Sequence, residues 1–145
     1  MSINVQQSDI AVTTTLAVLT GSPSFDVLAG RTYEFRYRLD VNVAASTDGV
    51  LFHPDGPALT RLTYKVETPS SASATTLSNG NDLWKGAATT TTPPTTAPAS
   101  LDFLCIVEGI VTPSANGTVT MWGVVEAAGV ATLKAGSHVY YKIIK

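Results

Sequence analysis

From residue 31 to residue 43 the chain alternates without a slip. Tyr33, Phe35, Tyr37, Leu39 and Val41 fall on one side, and Glu34, Arg36, Arg38, Asp40 and Asn42 on the other. A period of two with large apolar side chains on one side predicts a half-buried β-strand. Its charged side reads either as a solvated face or as a charge ladder that meets a partner. So long a strand needs neighbours, and the sequence offers several. Arg61–Glu67 sets Leu62, Tyr64 and Val66 against Arg61, Thr63, Lys65 and Glu67. Leu101–Val111 is apolar on both sides, which predicts a central strand covered on both faces. Thr118–Glu126, His138–Ile144 and the Thr/Val-rich Ala11–Leu19 are further strand candidates.

Turn signals fall between these runs: Gly21-Ser22-Pro23, Ala29-Gly30, Asp48-Gly49, Asp55-Gly56-Pro57, Asn79-Gly80, Asn116-Gly117 and Ala135-Gly136. Gly and Asn supply the positive φ that short connections demand. Thr112–Gly117 looks like a hairpin loop joining two long strands. No window has the periodicity of an amphipathic helix, and Ala127-Ala128-Gly129 is too short to form one. The expected fold is all-β: an antiparallel, jelly-roll-like β-sandwich. One domain over residues 1–145 suffices, because a chain of this length buries roughly two-thirds of its unfolded surface. Residues 86–100, rich in Thr and Pro, cannot bury much and resist a sheet ladder. They predict a long exposed loop or an extended arm lying on a neighbouring subunit. Residues 1–9 are a candidate N-terminal arm.

Hydrophobic residues make up 44% of the chain and charged residues 14%, with a net charge of -2. That balance gives no basic field for nucleic acid and no polybasic segment for an anionic membrane. The single cysteine, Cys105, lies in an apolar run and reads as a small buried hydrophobe. Neither a signal peptide nor a membrane-length apolar stretch is visible, so synthesis in a cytoplasm is expected.

Catalytic signatures are sparse. His53, with Asp48 and Asp55 nearby, could hold a divalent ion, yet the spacing lacks the rhythm of a calcium loop and reads better as a turn. Glu67, Glu108 and Glu126 could supply a glycosidase pair, but nothing in the sequence sets their separation. No Gly-x-Ser-x-Gly and no phosphate-cradling glycine loop occurs. No catalytic residue, cofactor or metal is expected. Asn116-Gly117-Thr118 matches a glycosylation sequon but reads as a turn. Trp122 belongs to the core or a sheet face; Trp84 is either an interface anchor or packing for its own loop.

Several blocks carry a resemblance. Ala29-Gly30-Arg31-Thr32-Tyr33-Glu34-Phe35 resembles the opening strand of a β-domain found among structural proteins of tailed phages. Asp55-Gly56-Pro57 with Leu62-Thr63-Tyr64 is similar to that family's second block. Leu104–Ser114, followed by Ala115-Asn116-Gly117-Thr118, looks like its most distinctive run, and Leu133–Ser137 like its last. Asp55 stands where the family usually has Asn, and Arg36, Arg38 and Asp40 make the long strand more charged than usual. The resemblance implies a β-sandwich virion component without catalytic residues. It gives Gly30, Gly56 and Gly136 the role of turn glycines. Glu108-Gly109 becomes a strand irregularity, where glycine permits a bulge or a close backbone approach.

The expectation is therefore a capsid decoration (cement) protein on the virion surface, binding the major capsid protein. By analogy it self-associates as a homotrimer. Its candidate interface residues are Trp84, Lys85, Thr91, Pro93, Pro94, Arg36 and Arg38. The alternative is a tail-fibre receptor-binding module that holds a glycan near Trp84, Tyr64 or the Asp48–Pro57 loop.

Overall fold

A computed structural model describes residues 1–45, 48–67, 102–125 and 129–145, together with the backbone of residues 84–85. Its strands are β1 (Ser2–Val5), β2 (Ile10–Val12), β3 (Ala17–Val18), β4 (Phe25–Val27), β5 (Tyr33–Val43), β6 (Val50–Asp55), β7 (Leu59–Glu67), β8 (Trp84–Lys85), β9 (Asp102–Pro113), β10 (Gly117–Val125), β11 (Ala131–Leu133) and β12 (His138–Ile143). Among the described residues there is no helix. All pairings are antiparallel. The large sheet runs β1-β12-β5-β9-β7-β8, with β11 also on β5 and β2 on β11. The small sheet centres on β10, with β3, β4 and β6 as its partners. The chain passes back and forth between the two sheets, the crossing habit of a jelly roll. The expected antiparallel β-sandwich is what forms.

β5 organises the large sheet because its alternation is strict. Its odd-numbered residues, Tyr33 to Val43, are all buried, while its even-numbered charged residues are exposed. One edge of β5 pairs with β9 over almost its whole length. The other edge is shared. Tyr33–Arg38 faces β12 and Val41–Val43 faces β11. Between those two partners, four residues (134–137) span what β5 covers with Leu39 and Asp40. Two extra residues preserve the parity of a period-two strand, so Leu133 and Val139 both stay buried. The N-terminal strand follows the same excursion. Gln6 Nε2 donates to the Leu133 carbonyl at 2.9 Å, and Asp9 pairs with Lys134 at 2.6 Å.

The core lies between the sheets. β5, β7, β9, β11 and β12 contribute one wall, and β4, β6 and β10 the other. Gly123 of β10 leaves room for Leu19 and Phe52, whose atoms would lie 2.9 and 3.2 Å from an added Cβ. Cys105 is fully buried, and burial pushes its thiol far above the ordinary range, leaving an unreactive core residue.

Several expectations need correction. Residues 1–9 are not a free arm, because Ser2–Val5 is a strand on β12. Ala11–Leu19 is not one strand; it divides into β2 and β3, which serve different sheets. Asp48–Pro57 is mostly strand rather than loop, and Thr112–Gly117 joins β9 and β10 across the sandwich instead of closing a hairpin. β9 is central but covered on one face only, since Leu104 is 47% exposed. Gly109 sits in unbroken register with both neighbours, so it allows a close approach and not a bulge. Gly30 and Gly136 have φ of 75° and 93°, as turn glycines should, whereas Gly56 lies in the β6–β7 connection, where an added Cβ would make a tight 3.3 Å contact with the Val119 side chain. Residues 86–100 and the Asn79-Gly80 turn lie outside the described residues.

Candidate functional site: the outer face of the large sheet

The polar side of β5 forms the middle of a broad outer face. Residues paired directly across strands share a face, so the register fixes its membership. Arg36 of β5 lies opposite Glu108 of β9, and Glu108 lies opposite Lys65 of β7. The ion pairs follow: Arg36 Nε to Glu108 Oε2 at 3.3 Å, Lys65 Nζ to Glu108 Oε1 at 2.8 Å, and Lys65 Nζ to Glu67 Oε1 at 2.6 Å. Glu108 and Glu67 together hold the Lys65 ammonium above its ordinary range. On the other side of β5, Lys142 Nζ meets Glu34 Oε2 at 2.9 Å. All these side chains are substantially exposed, so each pair adds little to stability. Their effect is to hold charges in a fixed pattern.

Two shallow depressions flank β5. A groove of about 670 Å³ is bounded by Glu34, Arg36, Arg61, Thr63, Lys65, Glu108 and Ile110. A second of about 420 Å³ is bounded by Met1, Arg36, Arg38, Tyr140 and Lys142. Arg38 and Arg61 have no ion-pair partner among the described residues. Apolar surface is interleaved with the charges through Leu104, Ile106 and Ile110 of β9.

The candidates named from sequence are thus only partly brought together. Arg36 and Arg38 stand at the centre of this face. Trp84 and Lys85 form β8 at the far edge, where their backbone pairs with Tyr64 and Thr63. Thr91, Pro93 and Pro94 lie outside the described residues. Tyr64, expected to line a glycan groove, does border the groove of about 670 Å³, but it is only 2% exposed and belongs to the core. Glu126 is also outside the described residues. Glu67 and Glu108 share one lysine on an open face. The alternation of each strand gave the face of each charge, but the Arg36–Glu108–Lys65 row depends on register between distant segments. No local signal could have found it.

The Asp48, His53 and Asp55 cluster does not assemble. Asp48 Oδ2 accepts the backbone N–H groups of Ala45 and Val130, tying two loops together. His53 is a strand residue of β6, not a turn, and is only 3% exposed. It stacks on Trp122 with ring centroids 6.0 Å apart. Trp122 is accordingly a sheet-face residue. No three potential metal ligands gather among the described residues. Burial holds the His53 imidazole below its ordinary value, partly offset by the Pro54 carbonyl and Asp55, and Nε2 has no partner among the described residues. With the folded pKa depressed, the unfolded chain takes up more protons as pH falls below about 6.5. Stability is therefore expected to decline from pH 7 to pH 5.5 in urea titrations. His53→Phe, which keeps the ring against Trp122, is expected to flatten that decline. An unchanged slope would exclude His53 as its source.

Comparison of the chain with protein-family models, with curated proteins and with solved structures finds no match.

Proposed function

We propose that this chain is a structural protein of a tailed-phage virion, a capsid decoration protein that seats the outer face of its large sheet on the major capsid protein. One observation carries the reading: this face is wide, open and patterned. The five strands from β1 to β7 across the sheet hold 4, 6, 11, 12 and 9 residues, and at about 4.8 Å spacing and about 3.4 Å per residue they give an area on the order of 700 Å². Standard protein interfaces take roughly 600–1,000 Å² from each partner. The face mixes cations with carboxylates and leaves apolar residues between them, a composition suited to a protein surface and not to a polyanion. The resemblance of Ala29–Phe35 and Leu104–Thr118 to phage structural domains supplies the setting.

The test is co-sedimentation of the purified chain with assembled shells. Arg38→Glu is the cleanest probe, because Arg38 has no ion-pair partner among the described residues to lose. It is expected to weaken shell binding at least about tenfold, the scale of a lost interface charge, while leaving the unfolding midpoint unchanged. Equal binding by Arg38→Glu and the unaltered chain would remove this face from the account.

A second reading is a receptor-binding module of the tail. The groove beside Arg61, Lys65 and Glu108 favours it, since that polar trough is large enough for a sugar ring. Glycan binding abolished by Arg61→Ala, without any binding to shells, would establish it over the first.

A further inference from the structure

We propose that β1 is an assembly edge and that its partner is β1 of a second copy of this chain, paired antiparallel about a two-fold axis. The direction of the backbone groups is the starting point. Gln6 N–H donates to the Ser137 carbonyl at 2.8 Å, and the Gln6 carbonyl accepts from Gly136 N–H at 3.0 Å. Gln6 therefore turns both of its backbone groups toward the β12 side. Along a strand these groups alternate. Asn4 consequently faces β12, and Ile3 and Val5 turn their N–H and C=O groups away from the sheet. The Val5 carbonyl bears this out, because the Gln7 side chain reaches it from outside at 2.9 Å. That contact is exposed and lies within two residues, so strand pairing readily replaces it.

A second copy fits this edge on three counts. Placing Asn4 on the two-fold axis sets Ile3 opposite Val5 of the second copy, and Val5 opposite its Ile3. These are the residues with outward backbone groups, so both pairs exchange two hydrogen bonds each. No charge opposes the union, since Ser2-Ile3-Asn4-Val5 carries none. Finally, Ile3 and Val5 are 53% and 41% exposed on the outer face, and pairing sets them side by side in one apolar stripe. Edge strands are ordinarily protected by Lys, Pro or a bulge. β1 has none of these. Such a pair has two-fold symmetry, in contrast to the trimer expected by analogy. The inference concerns the free chain and does not depend on what the outer face binds.

Sedimentation of the full chain is the first measurement. Its weight-average mass is expected to rise from one chain to two between about 10 µM and about 1 mM, the weak range of small interfaces. Ile3→Lys, a change at an exposed site, is expected to hold it at one. Position-specific cross-linking then tests the register. Across a non-hydrogen-bonded antiparallel pair the Cα atoms are about 4.5 Å apart, within disulfide reach. Asn4→Cys should form a disulfide-linked dimer under mild oxidation. Ser2→Cys should not, since its equivalents lie on the order of 13 Å apart. Cys105 is buried and adds no background. A monomer at every concentration, equal cross-linking of both cysteine variants, or a trimer indifferent to Ile3→Lys would each overturn the proposal.

Discussion

Gly109→Ala is expected to abolish cooperative folding or to remove most of the protein's stability. Gly109 lies in the middle of β9, opposite Phe35 of β5 and Tyr64 of β7. A Cβ added there would run into the Thr63 carbonyl oxygen and lie 2.7 Å from Tyr64 Cβ and 2.8 Å from Tyr64 Cα. These atoms are backbone or directly attached to it, so no rotamer change relieves the overlap. β9 is held on both sides and cannot slide. Either β7 separates from the sheet or the sheet buckles over its own core. A cost of at least about 3 kcal/mol follows, a large part of the 5–15 kcal/mol that holds a domain of this kind together. Gly30→Ala is the control. Its added Cβ meets nothing within 4 Å, and the φ of 75° costs only the left-handed penalty of about 1–2 kcal/mol. Urea titration of both variants checks the difference. A Gly109→Ala protein within about 1 kcal/mol of the parent would contradict the close approach of β7 to β9.

Phe25→Ala should be the next most damaging change. Phe25 belongs to β4 in the small sheet, yet its ring neighbours all belong to the large one. It stacks on Tyr141 at 4.6 Å and tilts against Tyr33, Phe35 and Tyr37 at 6.1, 6.0 and 6.4 Å. One ring therefore ties the two layers together at this end of the sandwich, beyond the area it buries. β4 has only a three-residue register with β10 to fall back on. Truncation of a buried Phe costs about 3–5 kcal/mol, which lowers the melting temperature of a chain this size by about 10–20 °C. Leu28→Ala, at a side chain 54% exposed, should change it by less than about 2 °C. A thermal melt of each variant decides the matter. Equal small shifts would mean that the aromatic cluster does not join the sheets.

What could be read in advance followed local periodicity, and what could not followed long-range pairing. β5 was plain because the core lies against one side of it throughout, so burial is written into every second residue. β1 was not, because all four of its side chains are exposed and only β12 makes it a strand. β6 was hidden by its punctuation. Asp48-Gly49 and Asp55-Gly56-Pro57 flank it, and Pro54 lies within it. It tolerates Pro54 because, among the described residues, it pairs with β10 alone. β9 misled in a different way. Leu104, Ile106 and Ile110 are apolar without being core, since they sit among the charges of the outer face. In the candidate site, Arg36 and Arg38 were legible from the alternation. Their connection through Glu108 to Lys65 appears only when β5, β9 and β7 are aligned.

The measurement that bears most directly on the proposed virion role is a reconstruction of phage particles assembled in the presence of this chain. The account predicts density for the sandwich repeated over the icosahedral shell, with the face of β5, β9 and β7 turned toward the major capsid protein. Density confined to the tail, or no density on the particle at all, would contradict it.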